Sequence, residues 1–292
     1  MLEVSALNGL TLIQALIEGL SLGGIYCLIS VGLNLVFGVM NIVNFAHGEF
    51  LMVAMYIAYW LNYILGVDPY FSIFIVAPLM FVFGMLCQRI LIEPILDREQ
   101  NDQVIVTLGL SLILQNLILF LFSADYRTIL TPYTYLTFNI GGIHVPFVKI
   151  LCVLFSILSL SALYIFLYKT KTGKAVMAVA QNRIGASIVG VNVARVDMIA
   201  FGLALALVGI GGAVILPYFW VFPSVGQLFI VRVLLIIVAG GLGKLKGAII
   251  CSLIMGITES ITVLFVAPIV KDFILFVVFT TIFLLKPGGL FD

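Results

Sequence analysis

The chain has very little charge. Only 9% of its 292 residues are Asp, Glu, Lys or Arg, against about a quarter in a soluble domain, so it cannot cover a water-facing surface. The 14 basic and 13 acidic residues nearly cancel at a net +1, which argues against a nucleic-acid partner. The only two histidines, His47 and His144, stand far apart without metal-ligand spacing. Four cysteines (Cys27, Cys87, Cys152, Cys251) sit singly in apolar runs with no CxxC pattern, and they read as small buried hydrophobes. No Ser/His/Asp or Cys/His grouping stands out. Gly240-Gly241-Leu242-Gly243-Lys244 is not a phosphate loop, because Val238 and Leu245 occupy the places where the loop needs Gly and Ser or Thr. An enzyme working with its own residues is not expected. The first residues show no basic region and no small-residue cleavage pattern, so no removable signal peptide is expected.

The rest is apolar: 63% hydrophobic residues and a mean hydropathy of +1.29. With about 20 apolar residues needed to cross the hydrocarbon core, the chain reads as one all-α polytopic membrane domain over 1–292, with about eight to nine spans. They are expected at Leu10–Val39, Glu49–Leu65, Tyr70–Ile92, Val104–Phe122, Phe147–Tyr168, Met198–Trp220, Gly247–Val266 and Ile269–Leu285, with a short segment Leu228–Ala239 that either crosses or re-enters. The polar stretch 169–197 holds five of the 14 basic residues (Lys169, Lys171, Lys174, Arg183, Arg195) and one acid, Asp197. Such a loop belongs on the cytoplasmic side. Nine crossings, N-terminus outside and C-terminus cytoplasmic, then bring Arg98, Lys244, Lys246 and Lys286 inside and leave the outer connections nearly balanced. A re-entrant Leu228–Ala239 would put Lys244, Lys246 and Lys286 outside. On the outer side, 123–146 carries β-branched and aromatic residues around Gly141-Gly142, the pattern of a small hairpin.

Small residues recur at helix-packing spacing: Gly19, Gly23 and Gly24 in the first span, and Gly202, Ala206, Gly209, Gly212 and Ala213 in the sixth. They imply a compact bundle. Glu18, Glu49, Glu93, Arg232 and Glu259 are ionisable groups within or near spans, where charge is costly and functional by default. Glu259 lies deepest in its segment. Asn34, Asn44, Gln115 and Asn116 are uncharged polar groups that must find partners or line a wet path. They are the candidate path residues.

Three blocks together resemble one family. Asn41-Ile42-Val43-Asn44-Phe45-Ala46-His47-Gly48-Glu49 resembles the stretch after the first long helix of permeases of branched-chain amino acid ABC importers, the LivH type. Ala180-Gln181-Asn182-Arg183 through Gly190-Val191-Asn192 resembles their cytoplasmic coupling loop. Val238 to Gly243, with Lys286-Pro287-Gly288-Gly289-Leu290-Phe291, resembles their closing blocks. The resemblance implies a permease in a prokaryotic cytoplasmic membrane. It would work with a second, related permease of the LivM type, two ATPase subunits that bind the ATP, and an extracytoplasmic binding protein. It needs no cofactor of its own. Gly173–Gln181 and Ile184–Val189 could then form two short coupling helices, with Ala175, Val176, Ala178 and Val179 as small apolar contacts beside Lys174 and Arg183. Such loops often carry Glu-Ala-Ala, then three residues, then Gly. Here Ile184-Gly185-Ala186 leads to Gly190, so Ala186 and Gly190 are kept and the acid is not. Urea permeases share related blocks, so a urea or short-amide importer is the alternative cargo. An ion-coupled carrier, with Glu259 as its coupling acid, is the alternative mechanism.

Overall fold

The computed structural model describes residues 9–286 and 288–290. The N-terminal residues behind the signal-peptide expectation, and Pro287 and Phe291 of the closing block, lie outside the described residues. Eleven α-helices run in the order α1 Gly9–Met40, α2 His47–Leu65, α3 Pro69–Cys87, α4 Gln100–Phe122, α5 Phe147–Lys169, α6 Lys171–Gln181, α7 Arg183–Ile188, α8 Val193–Ile215, α9 Val225–Gly240, α10 Leu245–Phe265 and α11 Pro268–Leu285. Between α4 and α5 an antiparallel hairpin pairs β1 (Thr137–Ile140) with β2 (Ile143–Pro146) around Gly141-Gly142, as the composition of that segment predicts.

Seven helices among the described residues (α1, α2, α3 with its continuation to Ile95, α4, α5, α8 and α10) are long and apolar enough to cross a membrane. α3 outlasts its α-helical hydrogen bonding because a wider turn over Gln88–Ile92 and a tighter one over Glu93–Ile95 carry the axis on. α9 has 16 residues and α11 has 18.

α1 is the axis of the bundle. Its 32 residues are about 48 Å long at 1.5 Å per residue, and most of its second half is buried on every side. Small residues make this possible. A Cβ on Gly19 would stand 2.6 Å from the Ile257 backbone in α10, and one on Gly32 would stand 2.9 Å from the Ala204 carbonyl in α8. α3 approaches α8 the same way, with Gly84 against Gly202. In lipid the apolar effect does not drive helices together, so close backbone approach of this kind supplies the association.

Two distinct ends result. The Met40 end of α1 meets Val179, Ala180 and Arg183 of the loop and the turn Leu242–Lys244. The chain's last described segment returns to the same end, where the Leu290 N–H donates to the Ala239 carbonyl at 2.9 Å. At the opposite end lie the hairpin, an ion pair of 2.9 Å between Lys149 and Glu18, and the Tyr133 hydroxyl donating to Asp68. Burial and that carboxylate both push the Tyr133 phenol up from its ordinary value.

α8 starts at the loop end and α10 starts there again, so the segment between them must return across the bundle. It does so in two parts. Residues 216–224 descend without helix, held by the backbone pair between Arg127 and Val221, and α9 completes the crossing. Leu228–Ala239 is therefore part of a traversing segment. The sixth span also shifts from its expected Met198–Trp220 to Val193–Ile215. The Asn192 side chain accepts from the Arg195 N–H at 3.0 Å and starts the helix early, as a short polar cap does.

Candidate functional site

The loop 169–197 folds into the two short helices expected of it, each with its own cap. Thr170 accepts from the Gly173 N–H at 2.9 Å, and Asn182 from the Gly185 N–H at 2.8 Å. α6 folds back tightly on α5: a Cβ on Gly173 would lie 2.0 Å from the Phe166 carbonyl. Val176 and Val179 turn inward and are buried, with Ala175 and Ala178 half-buried beside them. α7 turns the other way. Its Ala186 is buried against the bundle, while Ile184, Ile188 and the following Val189 are 74%, 79% and 77% exposed. Lys174 is exposed at the start of α6, and Gly190 ends the elbow at φ +88°.

Arg183 is held within the chain. Its two guanidinium nitrogens donate to both carboxylate oxygens of Asp197 at 2.9 and 2.7 Å, and Nη1 reaches the Val39 carbonyl at 3.5 Å. The Asp197 side chain is 1% exposed. This bidentate bond ties α7 to α8 and to the end of α1. The apolar surface that α7 presents (Ile184, Ile188, Val189) is not the one composition singled out. The signal was present in the sequence as aliphatics at i, i+4 and i+5 of a short amphipathic segment, but the smaller residues of α6 were the more conspicuous.

The four candidate path residues are not brought together. Asn34 is fully buried and clamps the turn after α9. Its amide donates to the Gly241 and Lys244 carbonyls at 3.3 and 3.0 Å, and its oxygen accepts from the Gly243 N–H at 2.7 Å. Asn44 accepts from the Ala46 N–H at 3.0 Å and shapes the entry to α2. Gln115 and Asn116 are on α4, away from both. The Gln115 oxygen accepts from the Gln227 amide at 3.0 Å, while the exposed Asn116 bonds back to its own helix.

α2 begins inside the bundle. His47 is fully buried, with Nε2 3.1 Å from the Ile29 carbonyl, eleven residues short of the Met40 end of α1. The chain thus leaves α1, turns back along it through Asn41–Ala46, and starts α2 at depth. The start of α9 meets it there, since a Cβ on Gly48 would lie 2.2 Å from the Gly226 carbonyl. Two helix N-termini, with non-helical chain leading into each, meet inside the membrane part of the fold. Non-helical backbone at such depth occurs only where protein or a wet cavity surrounds it, and interrupted helices of this kind build the sites of many transporters.

Glu259 is fully partnered. Tyr26 and Lys271 each reach it at 2.6 Å, and Arg232 at 3.5 Å; Arg232 also pairs with Asp272 at 2.7 Å. Two cations and two anions close a neutral network across α9, α10 and α11. That is the arrangement a buried charge needs in order to be tolerated.

Crossing helices, helices interrupted at depth and an apolar elbow outside the spans define a multi-pass membrane protein of the transporter class. Residues 15–283 match the family described as "Branched-chain amino acid transport system / permease component", and the chain belongs to that family. It is 25% identical to the high-affinity branched-chain amino acid transport system permease protein BraD of Pseudomonas aeruginosa, over 95% of each chain. It is 26% identical to LivH of Salmonella typhimurium, over 95% of this chain and 94% of that one. It is 31% identical to a probable LivH of Methanocaldococcus jannaschii, over 82% of this chain and 78% of that one. No solved structure matches it.

Proposed function

We propose that this chain is the membrane-spanning subunit of an ATP-driven importer of branched-chain, hydrophobic amino acids, and that α6 and α7 are the elbow through which separate ATPase subunits move it. The observation that carries the coupling role is the surface of α7. Ile184, Ile188 and Val189 are exposed outside the spans, on a base locked by Arg183 and Asp197, with Lys174 exposed on the preceding helix. Exposed aliphatics at a polar end of a membrane protein serve to be covered by another protein. The missing acid of the Glu-Ala-Ala pattern fits docking by apolar contact, with Lys174 as the charge on α6. Ala178, Ala186 and Gly190 shape the elbow, and Arg183 braces it.

The names of the relatives support amino acids as cargo over urea or amides. The partnered state of Glu259 speaks against an ion-coupled carrier. In this reading the chain carries no catalytic site or cofactor, and ATP is bound by the partners. A second permease of the LivM type completes the path, and an extracytoplasmic binding protein delivers cargo to the hairpin end. The loop end faces the cytoplasm and the N-terminus lies outside. Gentle purification of a tagged copy from its native membrane tests the proposal. Two ATPase subunits and a second permease should accompany it. A homo-oligomer that persists after cross-linking would overturn it.

A further inference from the structure

We propose that Glu49 is the counter-charge for the ammonium group of the transported amino acid, at the inner end of a passage between α2 and α4. The inference rests on the importer reading above.

Among the described residues, Glu49 is the buried carboxylate without a neutralising partner. Its residue is 1% exposed, and its Oε2 has no hydrogen-bond partner among the described residues. Glu259, also buried, is wrapped by a lysine, an arginine and a tyrosine. The Ser111 hydroxyl of α4 stands beside Glu49. The position of Glu49 in the first turn of α2 sets it at the positive end of the helix, which favours its charged form once a cation is bound beside it. A carboxyl at this depth without a cation is costly to ionise and is functional by default.

The surroundings fit the rest of the cargo. Along α2, Glu49, Val53, Tyr56 and Trp60 follow at steps of four, three and four. Along α4, Ser111, Gln115, Ile118 and Phe122 do the same. Residues at these steps share one helix face, so the two stripes oppose each other. Beyond the polar pair Glu49–Ser111 the stripes meet where Tyr56 stacks on Phe122 at 5.2 Å between ring centroids, and an open-sided apolar cleft of about 590 Å³ runs along them, lined by Val53, Tyr56, Trp60, Ile118 and Phe122 together with the exposed Ile64 and Leu65. The Tyr56 hydroxyl, buried there, also has no partner. A zwitterion with a branched aliphatic side chain matches this wall: hydrocarbon against the cleft and ammonium at Glu49. α4 packs chiefly on α2, with the Gln115–Gln227 bond as a tie to α9, so the seam can widen without unpacking the α1–α8–α10 core. A single charge contact also permits release.

The test uses the whole complex in proteoliposomes with loaded binding protein and ATP, reading radiolabelled leucine uptake and binding-protein-stimulated ATP hydrolysis together. Glu49→Gln should cut uptake at least tenfold while hydrolysis stays within twofold of the parent, and Glu49→Asp should fall between. Val53→Trp keeps the charge but fills the cleft, and should likewise lose uptake with hydrolysis retained. Parental uptake by Glu49→Gln overturns the assignment. Should Glu49→Gln fail to assemble, Val53→Trp decides, and parental uptake by it overturns the passage. A parental complex that imports no leucine at all would instead sink the importer reading.

Discussion

Arg183 and Lys174 are nine residues apart in one basic loop, yet the two cations differ in kind. The Arg183 guanidinium neutralises a carboxylate that is 1% exposed, whereas Lys174 is exposed. Removing Arg183 strands Asp197. Breaking a buried pair costs about 3–5 kcal/mol, and the 43% exposure of Arg183 calls for the low end or below, roughly 2–3 kcal/mol after screening. Arg183→Ala should therefore lower the unfolding temperature of the purified protein, and Arg183→Ala with Asp197→Asn should recover most of the loss. The four buried cysteines supply the readout, since a thiol-reactive dye reports their exposure as the protein unfolds. Lys174→Glu should leave that curve in place and lower ATPase binding. If Arg183→Ala unfolds like the parent, Arg183 does not brace the elbow.

Among the elements, hydropathy alone located the spans, because twenty apolar residues have few other uses. The bounds of α1, α2, α5, α10 and α11 were legible to within two residues. The ends of α8 were not: an Asn cap sets its start, and the apolar run past Ile215 continues as non-helical chain pinned to Arg127. Hydropathy is blind to both. The depth of the α2 start was equally hidden, since hydropathy opens the second span at Glu49 without showing that the backbone of α1 lies beside it. The contact between the starts of α2 and α9 carries its own test. A methyl on Gly48 cannot be accommodated 2.2 Å from the Gly226 carbonyl, and overpacking a close interface costs about 1–3 kcal/mol. Gly48→Ala should lower the unfolding temperature and disable uptake. Gly109→Ala, on α4 with nothing within 4 Å, should do neither. On α7, Ile184→Asp together with Ile188→Asp removes exposed apolar surface and leaves the core untouched. The double variant should unfold like the parent and reach the membrane normally, yet bring down no ATPase.

The whole molecule has two unlike ends, and transport requires that they face different compartments. One end gathers Arg183, Lys244 and the α6–α7 elbow; the other gathers the hairpin, Asp68 and the Lys149–Glu18 pair. In the proposed orientation, which follows the retention of basic loops inside, the first faces the cytoplasm. That polarity suits a machine whose fuel is cytoplasmic and whose cargo arrives from outside. Because all four native cysteines are buried, single reporters can be added without background. Tyr135→Cys replaces a side chain 75% exposed beside the hairpin, and Ser187→Cys replaces an exposed one on the elbow. A membrane-impermeant maleimide applied to intact spheroplasts should label Tyr135→Cys and spare Ser187→Cys until the membrane is opened. The reverse order would invert the protein in its membrane and move the elbow out of reach of any ATPase.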